Sequence, residues 1–210
     1  MSARPFPPTH LKPDEGVYVE GSQFAPAPDV WDWIHNNIID PSGSIHNPDH
    51  EHLMGQTEIA VMWSSEPFIK QGRRVLGQCE SVAFRAGGWQ KLRQERQMLD
   101  WFGYVPKFLI TLAASYCFEC SDSDFCALVE HELYHIAQAV NEFDMPKFNK
   151  QTGQAILTMR GHDVEEFKGV VRRYGASEDV QMLVDVANNP PEVSRADIAH
   201  SCGTCLLRLA

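Results

Sequence analysis

From residue 29 onward the apolar and polar positions predict an alternation of helices and short strands. Asp29 can cap a helix from Val30 to about Ile39, which Pro41, Ser42 and Gly43 bring to an end. The polar stretch Ser44 to His52 reads as a loop. Thr57 to Trp63 and Val75 to Phe84 are rich in strand formers and bounded by turn residues, so two strands are expected, with Gly72 and Arg73 near the turn between them. Gly87 and Gly88 introduce a helix from Trp89 to Phe102, whose Leu92, Leu99 and Phe102 recur at helical spacing and should pack on the sheet. Lys107 to Tyr116 reads as a buried strand opened by Pro106. Ser121, Asp122 and Ser123 offer N-caps for a helix from Asp124 to about Phe143, stopped before Pro146. A short strand at Ala155 to Met159, a helix from His162 to Tyr174 that Gly175 terminates, and helices near Glu178 to Ala187 and Ser194 to Leu209 complete the pattern. The expected class is α+β. Residues 1–28 are rich in proline and read as an extended N-terminal segment, leaving 29–210 as one domain.

Composition narrows the function. With 43% hydrophobic and 22% charged residues the chain is an ordinary globular one. Its net charge of -10 opposes a grip on phosphate backbones, so no nucleic acid is expected as partner; basic residues cluster at Lys70 to Arg74 and Lys91 to Arg96, and the second run reads as the solvated face of a helix. No apolar window approaches the ~18 residues of a membrane-spanning helix, and the N-terminus has no signal-peptide core. A soluble, cytoplasmic protein with reduced thiols is expected.

The chemistry lies in the helix that begins near Asp124. His131-Glu132-Leu133-Tyr134-His135 brackets a glutamate between two histidines. At about 100° per residue the two imidazoles fall ~40° apart on one face, one turn apart along the axis, and can reach one tetrahedral ion. On the same wheel Phe125, Val129, Leu133, Ile136, Val140 and Phe143 form an apolar stripe well away from that pair, so the histidines are not core residues of that stripe. Glu132 has the position of the general base of a zinc hydrolase, and Tyr134 that of a packing residue.

A catalytic zinc takes three protein ligands and keeps a fourth position open. The extended motif with a glycine and a third histidine is excluded, because Gln138 and Asn141 stand at those places. His162, after the break at Gly161, is the leading third ligand, with Glu165 and Glu166 as rivals. Asp124 through His135, together with Gly161 through Phe167 and Arg172-Arg173-Tyr174-Gly175, resembles the phage metallopeptidase family, itself similar to SprT-like zincins. That resemblance, strongest over 57–175, implies a zincin-like fold in which a small mixed sheet packs against the active-site helix and further helices. It also implies a phage origin, hence the host cytoplasm, and a protein or peptide substrate.

Other clusters are weaker. Cys117 and Cys120, with the distant Cys202 and Cys205, are two paired-thiol motifs that could hold a structural zinc if they meet. His46, His50 and His52, with Asp49 and Glu51, form a polar cluster that could bind a metal, although loops of this composition are common without one. Two functions lead after this reading, ahead of a nucleic-acid-associated protease and a zinc amidase. One is a zinc metallopeptidase with Glu132 as base and His131, His135 and His162 as ligands. The other is an inactive, zinc-stabilised adaptor or inhibitor of phage origin.

Overall fold

The computed structural model describes residues 3–12, 21–70, 72–164, 171 and 174–196. Its centre is a four-stranded mixed sheet in the order β1 (Phe24–Pro26), β2 (Ile59–Ser64), β6 (Phe108–Ala113), β5 (Gly77–Ser81). β2 and β6 are parallel, with Ile59 beside Phe108 and Ser64 beside Ala113, while β1 and β5 flank them antiparallel. The fold is α+β.

Every residue of β2 is buried, which an apolar run covered on both faces requires. Ile59, Val61 and Trp63, with Phe108, Ile110 and Leu112, face the main core, which also takes α1 (Pro28–Ile34), α3 (Ala114–Glu119) and α4 (Asp122–Tyr134). The opposite pleat carries Ala60, Met62 and Leu109 against Trp101 and Phe102 of α2 (Gly88–Phe102). Only that end of α2 packs as expected, for Leu92 and Leu99 are 59% and 44% exposed. Gly103, at φ 77°, takes the left-handed position that closes this helix.

Several boundaries differ from the sequence reading. The first helix is capped at Ala27, because Pro28 at its first position has no N–H to satisfy, and it runs on through a π turn, His35–Ile39. Gly72, at φ 76°, turns a separate hairpin, β3 (Phe68–Lys70) with β4 (Arg73–Val75), instead of linking β2 to β5. The buried strand stops at Ala113 and the chain turns directly into α3. The polar stretch after Ser44 contains a 3-10 turn, Pro48–Leu53.

The largest correction concerns the motif helix, which ends at Tyr134 and not near Phe143. Ile136–Gln138 forms β7 and pairs with β8 (Leu157–Met159), which lies within the expected Ala155 to Met159 strand. Pairing with this distant strand outweighs helical periodicity. Ile136 stays buried but in a strand, and Val140 and Phe143 are 49% and 75% exposed. α5 (Glu178–Ala187) sits where the sequence placed it, with Ser177 capping Val180. The helix expected over His162 to Tyr174 lies largely outside the described residues, as does most of that expected from Ser194 to Leu209. No helix among the described residues is long and apolar enough to cross a membrane.

Besides β1, two residues tie the described part of the N-terminal segment to the fold. Leu11 is buried in the main core. Arg4, 6% exposed, donates to the carbonyls of Cys117 and Cys120 and to Asp122 Oδ1 at 2.7–2.8 Å. It thereby pins the junction of α3 and α4.

Candidate metal centre

α4 starts from a well-made cap. Ser121 Oγ accepts from the amide of Asp124 and donates to its carboxylate, and Asp122 and Asp124 in the first turn oppose the positive end of the helix dipole. Phe125, Leu128, Val129 and Leu133 bury one side. The motif residues therefore ride on a helix fixed at both its start and its apolar face. His131 lies in the last turn, and His135 is the C-cap, still in right-handed helical geometry at φ -72° and ψ -12°. The one-turn relation of the two histidines survives the early end of the helix.

The ladder that ends the helix brings in His162. With Ile136 opposite Met159, Arg160 falls beside His135, and its amide donates to the His135 carbonyl at 2.8 Å. His135 Nδ1 lies 2.8 Å from the Arg160 carbonyl, so this nitrogen carries the proton and Nε2 is left with its lone pair. Two residues on, His162 Nε2 lies 3.3 Å from His131 Nε2. The three ring centroids are 5.1–5.3 Å apart. One ligand atom from each of His131, His135 and His162 falls within 4.8 Å of the others, the one such group of three or more His, Cys, Asp or Glu among the described residues. His135 is buried, His131 half-buried and His162 exposed, lining a cavity of about 170 Å³ with Tyr134, Arg160 and Asp163.

Glu132, between the two motif histidines in sequence, lies against the sheet. Its side chain is fully buried against β5, where a Cβ placed on Gly77 would stand 2.8 Å from its Oε1 and 2.9 Å from Leu128 Cδ1. Only glycine fits at 77 with this carboxylate in place.

The putative phage metallopeptidase family matches the chain over residues 31–188, about three-quarters of its length and including the whole triad. The chain belongs to this family. No curated protein and no solved structure matches it.

The flank of α4 away from the sheet holds residues that sequence reasoning assigned to a plain loop. Tyr134 OH donates to Asp49 Oδ2 at 2.9 Å, and Asn47 Nδ2 donates to both Tyr134 OH and Glu130 Oε1. Burial pushes the Glu130 carboxyl up, against the lowering effect of that Asn47 bond. His52 bridges the Asp49 and Ile136 carbonyls, at 3.0 and 2.7 Å. His50 is 1% exposed, its ring 4.5 Å from that of Tyr134. Burial, and then the neighbouring His52, push its pKa down to about 4. His46, His50 and His52 therefore do not converge on one ion; His46 faces Glu51 instead. The signal available in the sequence was Asn47-Pro48, a capping residue before a proline, which marks the turn that aims Asp49 and His52 at α4.

Cys117 and Cys120 are free thiols at the end of α3, and Cys202 and Cys205 lie outside the described residues. Glu165 and Glu166, the rival third ligands, also lie outside them. Tyr174, in the run that carries the family resemblance, is 77% exposed.

Proposed function

We propose that the chain is a zinc-dependent peptidase in which His131, His135 and His162 hold the metal and Glu132 is the general base. The observation that carries this reading is the convergence of three imidazoles within 4.8 Å in a phage metallopeptidase family member. The donor set fits zinc, since three neutral nitrogen ligands leave the fourth tetrahedral position for water or substrate. The Arg160 carbonyl supports the fit by fixing the His135 tautomer, as an outer-shell acceptor does for metal-bound imidazoles. A zinc ion, when bound, polarises a scissile carbonyl and acidifies water.

The remaining steps belong to the chain. Glu132 follows the first ligand directly and is not a member of the imidazole group, and we assign its carboxylate to proton transfer instead of coordination. It takes the proton of the attacking water and passes it to the departing amine. Gly77 leaves room for it and β5 shields it from bulk solvent. That same burial is what the second reading, a zinc-stabilised adaptor or inhibitor, draws on.

The test is zinc content per chain together with cleavage of a complex peptide mixture read by mass spectrometry. Wild type and Glu132→Gln should each bind one zinc, His131→Ala and His162→Ala should lose it, and only wild type should cut. Cleavage by Glu132→Gln at the wild-type rate overturns the assignment of the base. Zinc binding without any cleavage by wild type favours the adaptor.

A further inference from the structure

A second cavity, of about 280 Å³, adjoins the histidine triad and shares Tyr134 and Arg160 with its walls. A polypeptide whose backbone lies at the triad can therefore drop a neighbouring side chain into it. We propose that this cavity receives a lysine or arginine side chain of the polypeptide being cut, with Asp49 as its charged partner. The proposal rests on the peptidase reading and names the substrate class of the same site.

Several side chains of the wall already use donors within the fold. Tyr134 OH donates to Asp49, Gln138 Nε2 donates to the Lys147 carbonyl, and both nitrogens of His52 face backbone carbonyls. The one guanidinium, Arg160, is answered by Asp163. Acceptors remain. Asp49 has no cationic side chain against it among the described residues, and one of its oxygens takes the Tyr134 hydroxyl.

His50 adds the second, independent sign. Its side chain is almost fully buried in the wall, and neither ring nitrogen has a hydrogen-bond partner. A buried polar group left unsatisfied is costly, and its neutral ring offers an acceptor nitrogen. A cavity with acceptors to spare and its cation already paired suits a side chain that brings several N–H donors and a positive charge. The net charge of -10 favours approach of a basic polypeptide in the same sense.

The experiment uses the full chain and two short-chain probes of opposite charge, n-butylguanidinium and butyrate, followed by NMR at the His50 and His52 ring protons. The guanidinium should shift both residues saturably and butyrate should not. Asp49→Asn should weaken the guanidinium about tenfold, the loss expected for one charge-assisted hydrogen bond. In the peptide mixture, lysine or arginine should be favoured about tenfold over glutamate at one position beside the cut, and Asp49→Asn should abolish that ratio. No saturable shift, equal binding of butyrate, or an unaltered Asp49→Asn variant overturns the proposal. Cleavage without a basic preference overturns it too and leaves the peptidase reading standing. Guanidinium binding that depends on Asp49, without cleavage of any peptide, supports the cation site and removes the peptidase reading.

Discussion

Replacing His50 by phenylalanine should make the fold less sensitive to acid. His50 titrates near 6.5 in the unfolded chain and at about 4 in the folded one, chiefly because burial disfavours its charged form. As pH falls below 6.5 the unfolded chain takes up a proton that the folded chain refuses until about 4. Stability is therefore fully present above 6.5 and is lost progressively down to 4. At ~1.4 kcal/mol per pH unit the whole gap corresponds to about 3 kcal/mol, of which about 2 kcal/mol is lost by pH 5. Because neither ring nitrogen has a partner, phenylalanine gives up no hydrogen bond, and the slightly larger ring beside Tyr134 should cost no more than about 1–3 kcal/mol at pH 7.5. The assay is urea unfolding followed by tryptophan fluorescence at pH 7.5 and pH 5, with both proteins stripped of metal so that ion binding does not contribute. Between the two pH values wild type should lose about 2 kcal/mol more than His50→Phe. Equal losses would refute the claim that His50 is held neutral by its surroundings.

Three further changes probe the frame around the triad. Gly77→Ala sets a methyl group 2.8 Å from Glu132 Oε1. It should cost about 1–3 kcal/mol in urea unfolding and depress hydrolysis at least as severely while zinc stays bound, and normal turnover would refute the close fit. Arg4→Ala removes three hydrogen bonds to the α3–α4 junction; about 2–4 kcal/mol should go from stability, and an unchanged melting temperature would show that the arm does not brace the motif helix. Inserting one alanine between Met159 and Arg160 shifts His162 out of step with β7 and should reduce zinc content to roughly that of His162→Ala, whereas retained zinc would show that the ladder does not set the third ligand.

How far the sequence foretold this arrangement depends on whether each signal is local. The runs Ile59–Ser64 and Phe108–Ala113 are apolar throughout, and strands buried on both faces have that composition. The histidine pair was legible because one helical turn fixes both rings, whatever the rest of the chain does. The end of that helix was not, since Ile136, Val140 and Phe143 fit helical spacing as well as they fit a strand and an exposed loop, and pairing with Leu157–Met159 decides between them. Ala114–Glu119 escaped for a similar reason. Nothing local marks the step from strand to helix at Ala114, which follows from burying Ala114 and Cys117 in the main core. The polar stretch around Asp49 read as a loop because its meaning lies in partners more than 80 residues away, Glu130 and Tyr134.

The candidate centre thus joins two parts held in different ways. His131 and His135 are carried by a capped helix packed on the sheet, and their separation is settled once α4 forms. His162 reaches them through a three-residue ladder and the paired contacts between His135 and Arg160, and it is the exposed member of the three. Ordering that segment costs conformational entropy, which the ladder pairs and the His135–Arg160 contacts oppose. An ion drawn to all three rings adds its binding free energy to the folded chain alone. If the three rings share an ion, its effect should be read most directly at the segment carrying His162, because His131 and His135 are already brought together by α4.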